Sequence, residues 1–106
     1  MMVELDTRKI LVQAGVKERM AVFDLPTLQD DFYKITKEYI NNLQEPEKIE
    51  MQSMLNSIFQ ARKNKIAKLA EAVNEDPKLK EKMTPEEKEY FDNICAATIL
   101  FKESIL

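Results

Sequence analysis

Met51-Gln52-Ser53-Met54-Leu55-Asn56-Ser57-Ile58-Phe59-Gln60-Ala61-Arg62-Lys63-Asn64-Lys65-Ile66-Ala67-Lys68-Leu69-Ala70-Glu71-Ala72-Val73 contains neither Gly nor Pro. Its apolar stripe runs through Met51, Leu55, Ile58, Phe59, Ile66, Leu69, Ala70 and Val73. At about 100° per residue they cover roughly a third of a helical wheel. Asn56, Gln60, Asn64 and Lys68 take the other side. The pattern predicts one long helix over 46–74, with Pro46 in its first turn and a stop where Asn74, Asp76 and Pro77 intervene. Arg62 lies inside the apolar stripe, among Leu55, Ile58, Ile66 and Leu69. A guanidinium there must snorkel or meet a carboxylate.

Two further helices flank this one. Thr84-Pro85-Glu86-Glu87 has the order of a capping box, with Thr at the N-cap, Pro at the first position and Glu at the third. Behind it Tyr90, Phe91, Ile94, Thr98, Phe101 and Ile105 form a stripe, which predicts a helix over 84–105. Upstream, Pro26 breaks the chain, Thr27 is a candidate N-cap and Asp30 follows three residues later. Phe32, Thr36, Tyr39, Ile40 and Leu43 then recur at helical spacing, which predicts a helix over 28–44. Residues 78–82 read as a loop or one short turn. In the first 25 residues Val3, Thr7, Ile10 and Ala14 can share a helix face, with Gly15 as C-cap. Ile10-Leu11-Val12 and Ala21-Val22-Phe23 are strand-like runs. The reading there is a short helix followed by an extended segment, with a small hairpin as the alternative.

The fold class expected is therefore all-α: a bundle of three long helices plus a short N-terminal element, with residues 1–106 as one domain. Its core should include Phe32, Tyr39, Leu55, Ile58, Leu69, Phe91, Ile94 and Phe101. Composition agrees. One Gly and four Pro in 106 residues cannot supply the turns of an all-β fold or a glycine-rich phosphate loop. The absence of His removes the commonest general base and metal ligand. A single Cys can form neither an internal disulfide nor a thiolate metal cluster. The reading is of a protein that works through its surfaces, with no catalytic residue, no metal and no cofactor. The net charge of −3 gives no general signature of nucleic-acid or membrane binding. No apolar run approaches a membrane span and no signal peptide opens the chain, so a cytoplasmic location is expected.

Several residues have a chemical and a plain reading. Cys95 lacks a basic activator and reads as a small buried residue. Asp30 and Asp31 point about 100° apart and suit a helix start better than a metal. Met51 and Met54 read as gap-filling core or interface residues. The basic residues from Arg62 to Lys68 spread around the helix and read as a solvated surface, so DNA binding should be weak or indirect. Arg62 itself is expected in a buried structural ion pair with Glu86 or Glu87, or with Asp30 or Asp31. Its functional alternative is a partner or DNA contact. Finally, Ile99, Leu100 and Leu106 lie off the stripe of the last helix, and Ala96 lies among them. These four residues form a candidate subunit interface, because a helix apolar all round is normally covered on both sides. The other possibility is that residues 1–25 fold back over them.

Leu25-Pro26-Thr27-Leu28-Gln29-Asp30-Asp31-Phe32-Tyr33, then Phe59-Gln60-Ala61-Arg62-Lys63-Asn64-Lys65-Ile66-Ala67-Lys68-Leu69-Ala70, then Leu79 and Met83-Thr84-Pro85-Glu86-Glu87 before an aromatic helix, together resemble the helical A-domain of the GINS family. The likeness covers residues from about 25 to 106. It implies a non-enzymatic scaffold in DNA replication, of archaeal type, nucleoid-associated in such a cell. The implied partners are other GINS subunits in a homo- or hetero-tetramer, the MCM helicase and a RecJ-like protein. Family members usually add a small β-rich B-domain, and none is visible in this sequence. A small DNA-binding or antitoxin-like regulator is the rival reading. It would need a basic recognition helix, against which the long third helix argues.

Overall fold

The computed structural model describes residues 2–22, 24–73 and 76–106, with side chains from Asp6 onward. These residues form five helices: α1 Met2–Met20, α2 Phe32–Asn41, α3 Glu47–Glu71, α4 Pro77–Glu81 and α5 Pro85–Ile105. No strand occurs among them.

The first correction concerns the N-terminus. It is not a short helix with an extended tail, nor a hairpin, but a 19-residue helix that runs through Gly15. Thr7, Leu11, Ala14 and Glu18 are buried along one face at helical spacing, so tertiary packing overrides the strand propensity of Ile10-Leu11-Val12. The side chain of Val3 and all of Phe23 and Asn74 lie outside the described residues. Gly15 is not a C-cap. A Cβ there would sit 3.6 Å from Met54 Cγ and 3.8 Å from Ile58 Cδ1, so the residue lies where α1 passes against α3.

The second correction concerns α2, which begins at Phe32 and not near 28. Residues 25–31 are committed elsewhere. Leu25 and Leu28 are buried, and the Leu28 N–H donates to Lys82 O at 3.2 Å. Thr27 is exposed, and the N-cap is Asp31, without a side-chain capping bond. Residues 78–82, read as a loop or one short turn, fall mostly in the short helix α4, Pro77–Glu81, capped by the Asp76 carboxylate, which accepts from Lys78 N.

Residue pairs give the helix directions. Arg8 pairs with Glu47 and Glu18 with Arg62, so α1 and α3 run the same way. Arg62 pairs with Glu87 and Ala70 with Cys95, so α5 is also parallel to α3. Helix α2 runs opposite: Tyr33 at its start reaches Glu87, and Asn41 at its end shares a groove with Gln52. The connection containing α4 brings the chain back beside α3 before α5 begins. The result is a rod of 56 × 22 × 21 Å.

Two apolar clusters fill the rod. Leu11, Ala14, Leu28, Phe32, Tyr39, Ile40, Met51 and Ile58 join α1, α2 and the first half of α3. Leu25, Ile66, Ala70, Met83 and Phe91 join the second half of α3 to α5 and the loops. Leu55 packs against the first cluster, and Leu69, Ile94 and Cys95 against the second. Phe101 corrects the expected core: it is 68% exposed. Because α3 and α5 are parallel with Ala70 level with Cys95, α3 ends while α5 continues, and among the described residues no helix runs beside the last turns of α5.

Candidate functional site

Between the two apolar clusters lies a polar layer centred on Arg62, with Ile58 and Ile66 one helical turn to either side. The side chain of Arg62 is fully buried. A guanidinium has five N–H donors, and five acceptors meet them. Nε donates to Glu87 Oε2 at 2.7 Å and Nη2 to Glu87 Oε1 at 2.8 Å. Nη1 donates to Glu18 Oε1 at 2.6 Å and to Pro26 O at 2.5 Å, and Nη2 to Lys82 O at 3.0 Å. One side chain of α3 thereby holds α1, α5 and both long connections. The fork-on-carboxylate contact with Glu87 is the strong, geometrically specific type.

The remaining lone pairs are also occupied. Glu87 Oε2 accepts from the Tyr33 hydroxyl at 2.6 Å, and Oε1 from Thr84 N at 3.0 Å. Thr84 Oγ1 accepts from Glu87 N, which completes the capping box. Glu18 Oε2 accepts from Lys65 Nζ at 2.9 Å, and Lys65 spends its other donors on Ala21 O and Asp24 O. No buried side-chain nitrogen or oxygen among the described residues lacks a partner. Arg62 and Lys65 balance Glu18 and Glu87, so the layer is electrically neutral.

The electrostatics follow from this geometry. Burial pushes the Glu87 carboxyl up, but the hydrogen bonds and charge of Arg62, then Tyr33 and Thr84, outweigh it and hold the group below its usual range. Burial, followed by the hydrogen bond to Glu87 and that carboxylate's charge, pushes the Tyr33 phenol well above its usual range. Burial lowers the Arg62 value, yet Glu87 and then Glu18 raise it further, so the guanidinium stays charged.

Of the acids considered from sequence as partners, Glu87 touches Arg62. Glu86 is exposed and lines an open groove instead. The reason is the capping box. The third helical residue turns back toward the N-cap and shares the α3-facing side with Phe91, while its neighbour points outward. Asp30 and Asp31 are exposed, and Asp31 accepts from Gln29 Nε2. Sequence reasoning gives Glu18, Lys65 and Tyr33 no place beside Arg62. Glu18 had a readable signal: it continues the spacing Thr7, Leu11, Ala14, so a carboxylate occupies a buried helix face just as Arg62 does.

The basic run from Arg62 to Lys68 has a divided fate. Arg62 is buried and Lys65 is tied to α1, which leaves Lys63 and Lys68 exposed. Cys95 is half-buried, and its Sγ donates to Ala70 O at 3.4 Å. No group of three or more His, Cys, Asp or Glu that could hold a metal occurs among the described residues.

The other notable feature is the end of α5. Ile99 is 41% exposed, Leu100 66% and Leu106 90%, and Ala96 is exposed too. Phe101 and Ile105 add to this apolar surface. Helix α1 packs on α2 and α3, and nothing among residues 6–22 covers it. Beside the first turns of α5, a groove of about 340 Å³ opens between α2, α3 and α5. Tyr33, Phe59 and Tyr90 form its walls, Ile66 its floor, and Lys63 and Glu86 its rim.

The family described as Sld5, GINS complex protein helical bundle domain, matches residues 6–106 of this sequence. No curated protein and no solved structure shows significant similarity to it. No helix among the described residues is long and apolar enough to cross a membrane.

Proposed function

The chain belongs to the family of GINS complex helical-bundle domains, and from that premise we propose that it scaffolds the replicative helicase assembly as a non-catalytic subunit. The family places it as a component of a DNA-replication complex that binds other GINS subunits. The finer reading is that the end of α5, with Ala96, Ile99, Leu100 and Leu106, is the subunit contact of a homo- or hetero-tetramer. The MCM helicase and a RecJ-like protein are its further partners, in the cytoplasm and at the nucleoid of an archaeal-type cell.

The observation that carries this reading is the contrast between the two ends of α5. Glu87 at its start is fully committed to Arg62, Tyr33 and Thr84. At its end Leu100, Phe101, Ile105 and Leu106 are each at least 63% exposed. Charged groups arranged for catalysis keep a face open to substrate. Here the buried charges are spent on one another, and the open surface is the kind that associates. The rival regulator reading is weakened by Lys63 and Lys68, the only exposed bases of the basic run.

The test is a pull-down from the native host with the tagged chain. Recovery of MCM or a RecJ-like protein together with other GINS subunits supports the reading. Recovery of a toxin, or of DNA that resists physiological salt, favours the regulator.

A further inference from the structure

We propose that the groove between α2, α3 and α5 receives the end of α5 from a second copy of this chain, with Phe101 as the inserted side chain. This rests on reading the α5 end as a subunit contact, and it adds the surface on which that contact is made.

Two unfilled features of opposite shape occur on one molecule. The groove, about 340 Å³, has aromatic walls at Tyr33, Phe59 and Tyr90, with room for an aromatic side chain and an aliphatic neighbour. Phe59 is 46% exposed at its edge, and Phe101 is 68% exposed on the last turns of α5. A molecule cannot close this pair itself. Tyr90 and Phe101 stand on the same continuous helix. At ~1.5 Å of rise per residue they are roughly 16 Å apart. A second copy can. Tyr90, Ala97 and Phe101 recur at spacings of seven and four, so groove wall and protruding ring look to the same side of α5. When two copies lay their α5 helices antiparallel about a two-fold axis, each groove receives the other's Phe101, as an isologous contact requires. Ala97 lies between wall and ring, where a small side chain lets two helices approach. The charges agree with this direction. Lys102 follows the inserted ring, and in the antiparallel pairing it faces Glu86 on the rim of the groove.

The experiment measures self-association by light scattering over a concentration series, with circular dichroism to verify folding. Phe59→Glu puts a charge in the groove wall at a side chain that makes no hydrogen bond in the Arg62 layer, and circular dichroism with a melt shows whether that layer is kept. The substitution should weaken association by at least about tenfold, as loss of a central contact does. Glu86→Lys should weaken it too, and Glu86→Lys with Lys102→Glu should restore it. A folding-independent readout uses the Cys95→Ser background, mixing Lys63→Cys chains with Ser104→Cys chains. Mild oxidation should link the two kinds of chain into a mixed dimer. Parent-like association of folded Phe59→Glu, with no mixed dimer, overturns the proposal. If Leu100→Glu still dissociates the protein in that case, the α5 end remains a contact and only its receptor is wrong. A parent that is monomeric throughout overturns both.

Discussion

Arg62 is held by five hydrogen bonds, and its own side chain is closed to water. Arg62→Ala removes the positive partner of two buried carboxylates, so it should cost about 3–5 kcal/mol, where a surface pair would cost at most about 1. Urea unfolding measures it. A change within experimental scatter of the parent would mean that the layer adds nothing to stability. Arg62→Lys should also be strongly destabilising, because an ammonium cannot span the Glu87 carboxylate and two carbonyls with one fork. The layer also makes stability depend on pH. Glu87 is lowered in the folded state, so its contribution is present above its unfolded value and is lost as pH falls through the folded one. Stability should therefore decline below about pH 4.3, where the unfolded chain starts to take up this proton. Tyr33 is raised, so its contribution is present below the unfolded phenol value and fades as pH climbs past about 10. In Glu87→Gln the acid limb should flatten. An acid limb as steep as the parent's would place the dependence on other groups.

Helix α1 tests the packing argument independently. Gly in a helix interior costs about 1 kcal/mol relative to Ala, and a Cβ at Gly15 would meet Met54 and Ile58 only at ordinary contact distances. Gly15→Ala should thus stabilise the protein by roughly 0.5–1 kcal/mol. A loss of stability on thermal melting would show that α1 and α3 pass closer than that. The elements differ in how far they were readable. The start of α5 was fully legible, since Thr84 and Glu87 state their own geometry at short range. The stripe of α3 was legible because its 3.6-residue period is long and uninterrupted. Helix α1 was misread because Gly15 resembles a stop and Ile10-Leu11-Val12 resembles a strand. Its true marker, Glu18 on an otherwise apolar face, makes sense only opposite Arg62, a relation that local pattern does not contain. The start of α2 was misplaced because Leu25 and Leu28 are pulled into the core by long-range contacts. Phe101 was assigned to the core because periodicity shows which side of a helix is apolar but not how far its neighbour extends.

The rod as a whole has its acids and bases largely paired or dispersed, and its unfinished surface is apolar. Direct DNA binding should therefore be weak and strongly salt-dependent. Between Glu75 and Leu106 eight acids face five bases, and few phosphate contacts mean little counterion release. A fluorescence titration should give a dissociation constant above about 10⁻⁶ M on a short duplex at physiological salt. Tighter binding would return the protein to the regulator class. The chain is proposed to be a subunit, completed by others at the end of α5. Light scattering of the purified chain at about 0.1 mM tests it directly, since a micromolar contact is largely occupied at that concentration. The parent should have the mass of more than one chain, and Leu100→Glu should have the mass of one chain while remaining folded. A parent with the mass of one chain, or a Leu100→Glu protein that is destabilised while the parent is already monomeric, would contradict it.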